Sequence, residues 1–254
     1  MMAVRKKLLL KLAASIAWIY RLIPCRLRET LIFGQFVLES RTGDPASTLR
    51  RLFKIQDRLD LVINERAVAY GKGEHPKHRL MAYHDFFVDR ISPGNTVLDI
   101  GCGYGAVARS IARRVPDVEV TGIDMDQPRL SQALAAQNPR NLKFVLGDVL
   151  EDLPSGHWDV VVLSNILEHI DQRVDFLVRV VARTNAGKLL IRVPLFERHW
   201  HNPLRAELGV NYFSDPTHYI EHTLKQFEAE IAAAGLKPVE IMLRWGEIWA
   251  DCRT

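Results

Sequence analysis

The sequence predicts an α/β fold: a doubly wound, seven-stranded sheet, mostly parallel with an antiparallel last strand, preceded by a helical N-terminal extension. Three observations predict it. From Val97 onward, short apolar runs alternate with amphipathic stretches five times over, the pattern of βα units in a parallel sheet. The first run leads directly into Gly101, Gly103 and Gly105 and then into a helical pattern, a strand, tight turn and helix N-terminus in sequence. The last two apolar runs are separated by Gly246 alone, too short for a crossover, so they should pair antiparallel.

In chain order, residues 5–23 come first. Leu8, Leu9, Leu12, Ile16, Ile19, Tyr20 and Ile23 recur at helical spacing, with Lys7, Lys11 and Arg21 off that face. The apolar stretch is too interrupted for a membrane span, which needs about 20 residues. A basic amphipathic helix over residues 1–28 is expected, and it suits either an anionic membrane surface or the flank of a protein. Residues 29–91 read as a helical extension or cap. Asp44-Pro45 breaks it, Thr48 restarts a helix, Tyr70–His78 is a loop suited to a lid or to a solvated connection, and Arg79–Ile91 is an amphipathic helix. Ser92-Pro93-Gly94-Asn95 turns into the sheet domain, residues 92–254.

Within that domain, strands are expected at Val97–Ile100, Val118–Ile123, Leu142–Leu146, Asp159–Leu163, Lys188–Val193, Val239–Trp245 and Glu247–Cys252. Helices are expected at Ala106–Arg114, Pro128–Ala136, Asp171–Arg183 and Leu224–Ala234, the last closed by Gly235. Asp126 and Asp152 read as helix caps. Residues 194–222 interrupt the rhythm and read as an insertion.

Charge and cysteines narrow the function. The chain carries 34 basic and 30 acidic side chains. Seven of the basic ones and none of the acidic ones lie in residues 1–28, which leaves 27 against 30, a net −3, for the rest. A body of that charge disfavours nucleic acid as partner, since backbone binding needs clustered Lys and Arg. Cys25, Cys102 and Cys252 are sparse and odd in number, which fits a reducing, cytoplasmic setting, with contact to the inner membrane surface through residues 5–23. Cys102, inside the glycine turn, reads as a small filler rather than a nucleophile.

Gly101-x-Gly103-x-x-Ala106 with Asp124 some twenty residues on satisfies a loose dinucleotide pattern. Asp99 argues otherwise. It sits two residues before the first glycine, where it would repel a pyrophosphate but favour a ligand carrying an amine and a sulfonium. VLDIGCGYG, TGIDMD, VLGDV and DVVVLSNILEHI, in that order and each at a strand's end, resemble the motif set of class I S-adenosylmethionine (SAM)-dependent methyltransferases, small-molecule type, including quinone-biosynthesis enzymes, over about residues 90–252.

The resemblance implies a Rossmann-like domain and SAM as cofactor. It implies that the Gly101, Gly103 and Gly105 turn passes under the methionine part and that Asp99 holds its amino group. Asp124 would accept both ribose hydroxyls and Met125 would pack on the adenine. Asp148 would accept from the adenine amine with the Val149 amide nearby, and Ser164 and Asn165 would line the methyl-transfer site.

Glu168-His169 resembles the LEH of many small-molecule methyltransferases. Residues 194–222 would then cover the acceptor, a small-molecule, glycan or lipid-linked compound methylated on oxygen. A histidine is the natural base for an alcohol, His218 first and His169 second. His218 and His222 flank Glu221, but no third ligand stands at metal-site spacing, so no metal is expected. An NAD-dependent oxidoreductase and a non-catalytic SAM-fold partner subunit remain as alternative readings.

Overall fold

The computed structural model describes residues 13, 16–73 and 75–254. Most of the 5–23 stretch lies outside the described residues; residues 16–20 are helical. The chain divides into two compact units, residues 1–64 and 65–254. The division falls upstream of the boundary at 91/92 drawn from sequence.

The first unit holds helix α1 (Cys25–Glu39) and most of helix α2 (Pro45–Tyr70). The break between them lies where Asp44-Pro45 stands. Asp44 accepts from the Ser47 amide at 3.0 Å and so stops the chain before the new helix. Arg51 ties the turn together: it pairs with Glu39 and donates to the carbonyl and hydroxyl of Thr42 at 2.7 and 2.8 Å. Among the described residues, no helix is long and apolar enough to cross a membrane.

The second unit is built on a seven-stranded sheet. Its strands are β1 (Thr96–Ile100), β2 (Glu119–Asp124), β3 (Leu142–Leu146), β4 (Val160–Ser164), β5 (Lys188–Pro194), β6 (Lys237–Arg244) and β7 (Glu247–Arg253). They lie in the order β3-β2-β1-β4-β5-β7-β6. The first five run parallel, and β7 runs antiparallel to both β5 and β6. The strand order reverses at β1, between β2 and β4, and such a reversal opens a crevice at the strands' carboxyl ends.

Both faces of the sheet are covered, which explains the near-continuous apolar runs. Leu98, Ile100, Val161, Leu163, Leu189 and Ile191 face Phe176 and Leu177 of helix α7 (Arg173–Thr184) and Phe227 of helix α9 (Leu224–Ala233). Val97, Val160, Val162 and Leu190 face Phe86 and Phe87 of helix α4 (Tyr83–Val88) and Ile111 of helix α5 (Ala106–Arg114), with Trp249. Asp99 alternates with Leu98 and Ile100, so it shares the α4/α5 face with Val97.

Two helix expectations need correction. Arg79–Ile91 is not one helix. It breaks at Ala82, in left-handed conformation (φ 48°), into α3 (Lys77–Met81) and α4. The bend buries Tyr83, Phe86 and Phe87 while Leu80 stays exposed, and His78 Nδ1 meets Tyr83 Oη at 2.7 Å across it. No helix begins at Asp152, whereas Asp126 does cap α6 (Gln127–Ala135) by accepting from the Arg129 amide.

Candidate cofactor site

The site grows from the β1–α5 turn. Gly101, Gly103 and Gly105 all have positive φ, at 68°, 54° and 72°. Gly101 is required by space as well: a Cβ there would stand 1.9 Å from Cδ1 of Ile166. Around Gly103 a Cβ would meet nothing within 4 Å, so this glycine bares its backbone to an open cradle. Cys102 between them is buried, and burial pushes its thiol up, the behaviour of a filler.

Asp124, at the end of β2, holds the turn. One oxygen accepts from the Gly103 amide at 2.6 Å and the other from the Asp126 amide at 2.8 Å. Each oxygen keeps a lone pair, so the same carboxylate can still receive two hydroxyl groups. Asp99 is 1 % exposed, and its Oδ2 has no hydrogen-bond partner. Burial pushes its carboxyl up to about 7, against the pull of the Ala108 amide. A buried carboxyl with one oxygen unpartnered, beside an open glycine turn, fits a cationic amine and disfavours phosphate.

Met125 is 69 % exposed directly after Asp124. Asp148 follows β3; its Oδ1 accepts from the Leu150 amide at 2.9 Å, which leaves Oδ2 for a ligand. Val149 beside it is partly buried and packs on the core. Ser164 ends β4, and its hydroxyl accepts from Arg192 at 3.3 Å. Asn165 adopts φ 59°, and its buried Oδ1 has no partner. Asn165 thus combines a left-handed backbone with a buried, unpartnered side-chain oxygen at the end of a central strand.

Beyond Asn165, the turn at Leu167–His169 meets the 194–222 segment. The Tyr219 amide donates to the Glu168 carbonyl at 2.8 Å. The rings of His169 and His218, the two candidate bases, lie edge to face with centroids 4.6 Å apart. Thr217 Oγ1 donates to Asp215 at 2.6 Å, since a carboxylate only accepts, and so must itself accept from His169 Nδ1 at 2.9 Å. That hydrogen bond holds Asp215 below the usual carboxylate range. It also leaves Nε2 of His169 as the bare nitrogen. Burial, together with the neighbouring His218, lowers the pKa of His169.

His222 does not join them. The segment is not helical here, so the four-residue spacing does not bring it beside His218. Its ring is fully buried and bonds Glu230 at 2.9 Å, while Glu221 pairs with Arg198 and accepts from Ser214.

Sequence reasoning missed four residues near the site. Arg192 on β5 is 5 % exposed and forks onto both oxygens of Glu247 at 2.6 Å. Its guanidinium lies 3.9 Å over the ring of Tyr83, whose phenol burial pushes up to about 12. The fourth is Glu168 as a side chain: it is wholly buried, neither oxygen has a partner, and burial pushes its carboxyl up to about 8. One signal was available, the lone cation in the apolar run LLIRVP.

Comparison with known proteins agrees with this geometry. Residues 97–187 match the family model of a methyltransferase domain. The ribosomal protein L11 methyltransferase of Burkholderia thailandensis is 38 % identical over 102 residues, 40 % of this chain and 32 % of the relative. The chain thus matches about a third of the length of such curated relatives. A chain from the complex of the Haloferax volcanii Trm112 methyltransferase activator superposes with a TM-score of 0.58 at 17 % identity, over 74 % of this chain and 94 % of that one. A TehB-like SAM-dependent methyltransferase from Corynebacterium glutamicum superposes at 0.51 and 15 % identity, over 77 % and 96 %. The fold and the family match converge: residues 97–187 match a methyltransferase domain, on a sheet whose fold is shared with solved SAM-dependent methyltransferases.

Proposed function

We propose that this protein transfers a methyl group from SAM to an oxygen nucleophile on a small-molecule, glycan or lipid-linked acceptor. The observation that carries the reading is the unpartnered Asp99 oxygen beside the open Gly103 cradle, with Asp124 across it and a histidine pair beyond β4. SAM supplies an electrophilic methyl group on a sulfonium, and the departing thioether is neutral, so no acid is needed.

The chain's own work is then binding, orientation and proton removal. Asp99 takes the amine, Asp124 the ribose diol, and Met125, Asp148 and Val149 the adenine. Ser164 and Asn165 border the transfer site. His218 and His169 stand where an acceptor hydroxyl would lose its proton, His169 with Nε2 bare. Residues 194–222 supply His218 and the Thr217–Asp215 brace, which supports their role as acceptor cover. The basic N-terminus supports contact with an anionic membrane surface: Arg21, Arg26 and Arg28 accompany exposed Leu22, Leu27, Leu31 and Phe33.

Incubation with methyl-labelled SAM and fractionated small-molecule, glycan and lipid extracts tests this reading, with label expected in one such fraction. A second reading, a protein acceptor, draws on the relatives named for ribosomal protein L11. Purified L11 belongs in the same assay, and label on L11 alone would replace the small-molecule reading. Turnover unchanged in His218→Ala, with SAM still bound, would exclude His218 as base.

A further inference from the structure

At the end of β4, three side chains from two distant stretches converge. One carboxylate oxygen of Glu168 and one ring nitrogen each of His169 and His218 lie within 4.8 Å of one another. Glu168 is 0 % exposed with both oxygens unpartnered. A carboxylate left without donors in the interior is costly; protonation relieves it, and so does a bound cation. The His218 side chain is 5 % exposed, with Nδ1 3.4 Å from the Glu221 carboxylate. His169 Nδ1 is braced by Thr217 and, through it, by Asp215. For His169, a hydrogen bond that leads on to a carboxylate is the usual outer support of a metal-ligating imidazole, because such a partner fixes the ring and makes its other nitrogen more basic.

We propose that Glu168, His169 and His218 bind one divalent first-row transition-metal ion. Two imidazoles and one carboxylate favour zinc, cobalt, iron or manganese over calcium and magnesium, which prefer an all-oxygen shell. Three protein ligands leave a coordination position open. For that position's use the inference rests on the methyltransferase reading: an acceptor hydroxyl bound there would be acidified by the ion and lose its proton to solvent water, its oxygen then taking the methyl as the neutral thioether leaves, and the two histidines would serve as ligands instead of bases. The cation site itself stands on the side chains alone. Its residues come from two separate loops, which is why no metal-like spacing is visible in the sequence.

The test is titration of the metal-stripped full-length chain with Co²⁺ alone, followed by its visible absorption, then displacement by Zn²⁺. SAM binding is measured by calorimetry on the same samples. One Co²⁺ per chain is expected, with a ligand-field spectrum that Zn²⁺ abolishes. Glu168→Gln and His218→Gln should each weaken Co²⁺ binding at least tenfold while SAM affinity stays within twofold, which reports an intact fold. Thr217→Val, which removes only the brace, should weaken it about 10- to 100-fold. Absence of stoichiometric Co²⁺ binding, or unchanged binding in both ligand variants, overturns the site whether or not SAM binds. SAM failing to bind where Co²⁺ does would overturn the methyltransferase reading and leave the site standing.

Discussion

Asp99 joins the fold to the function most tightly at the scale of single residues. Its carboxyl is raised from 3.8 to about 7 by burial. A group whose folded value is raised binds more protons in the native state, so the ligand-free protein should lose stability as pH climbs from about 4 through 7. Asp99→Asn should flatten that slope, as thermal denaturation at a series of pH values would show. Binding a cationic amine needs the carboxylate, so SAM affinity should rise from pH 5 and level off above about 7. In Asp99→Asn the affinity should fall by about 10- to 150-fold and lose that dependence, because a hydrogen bond to a charged group contributes about 1.5–3 kcal/mol. Affinity of that variant equal to the wild type at every pH would remove Asp99 from the site.

At the scale of elements, the β1–α5 turn separates folding from binding in two neighbouring glycines. Gly101→Ala drives a methyl into Ile166 at positive φ, so it should cost about 2–5 kcal/mol in chemical denaturation, overpacking added to backbone strain. Gly103→Ala meets no atom and should cost about 1–2 kcal/mol from backbone strain alone. It should nevertheless lose most SAM affinity, because its methyl enters the cradle. Across β4, β5 and β7, Arg192 and Glu247 form a fork with only 6 % and 14 % of their side chains exposed. Arg192→Met should destabilise by about 3–5 kcal/mol, and adding Glu247→Gln should recover much of that, since the lone buried carboxylate is the larger cost.

These elements also show what could be read from residues. The strands were legible because both sheet faces are covered, so each is an apolar run bounded by Gly, Pro, Asn or Asp. The placement of Asp99, Asp124 and Asp148 at or beside strand ends was legible because the apolar runs fix where each strand stops. The break at Ala82 was not, since the apolar spacing of residues 79–91 continues across it and only the burial of Tyr83 and Phe86 demands the bend. The meeting of Glu168 and His169 with His218 was not legible either. It depends on the path of a long segment whose only regular pieces are short, Phe196–Arg198 and helix α8 (His201–Glu207).

For the whole molecule, the division into units matters most. Every candidate cofactor residue lies in residues 65–254, and the exposed apolar and basic side chains of α1 lie in residues 1–64. Reversing charge at Arg21, Arg26 and Arg28 together should therefore reduce sedimentation with anionic vesicles and leave SAM affinity within about twofold. Loss of SAM binding in that variant would show that the two roles are not separate. The central claim is that the crevice at the strand ends of β1, β2 and β4 is a SAM site. Calorimetric titration of the full chain with SAM and, separately, with NAD tests it most directly. The account predicts one SAM site per chain, no NAD binding, and loss of the SAM signal in Asp124→Ala; NAD binding without SAM binding would contradict it.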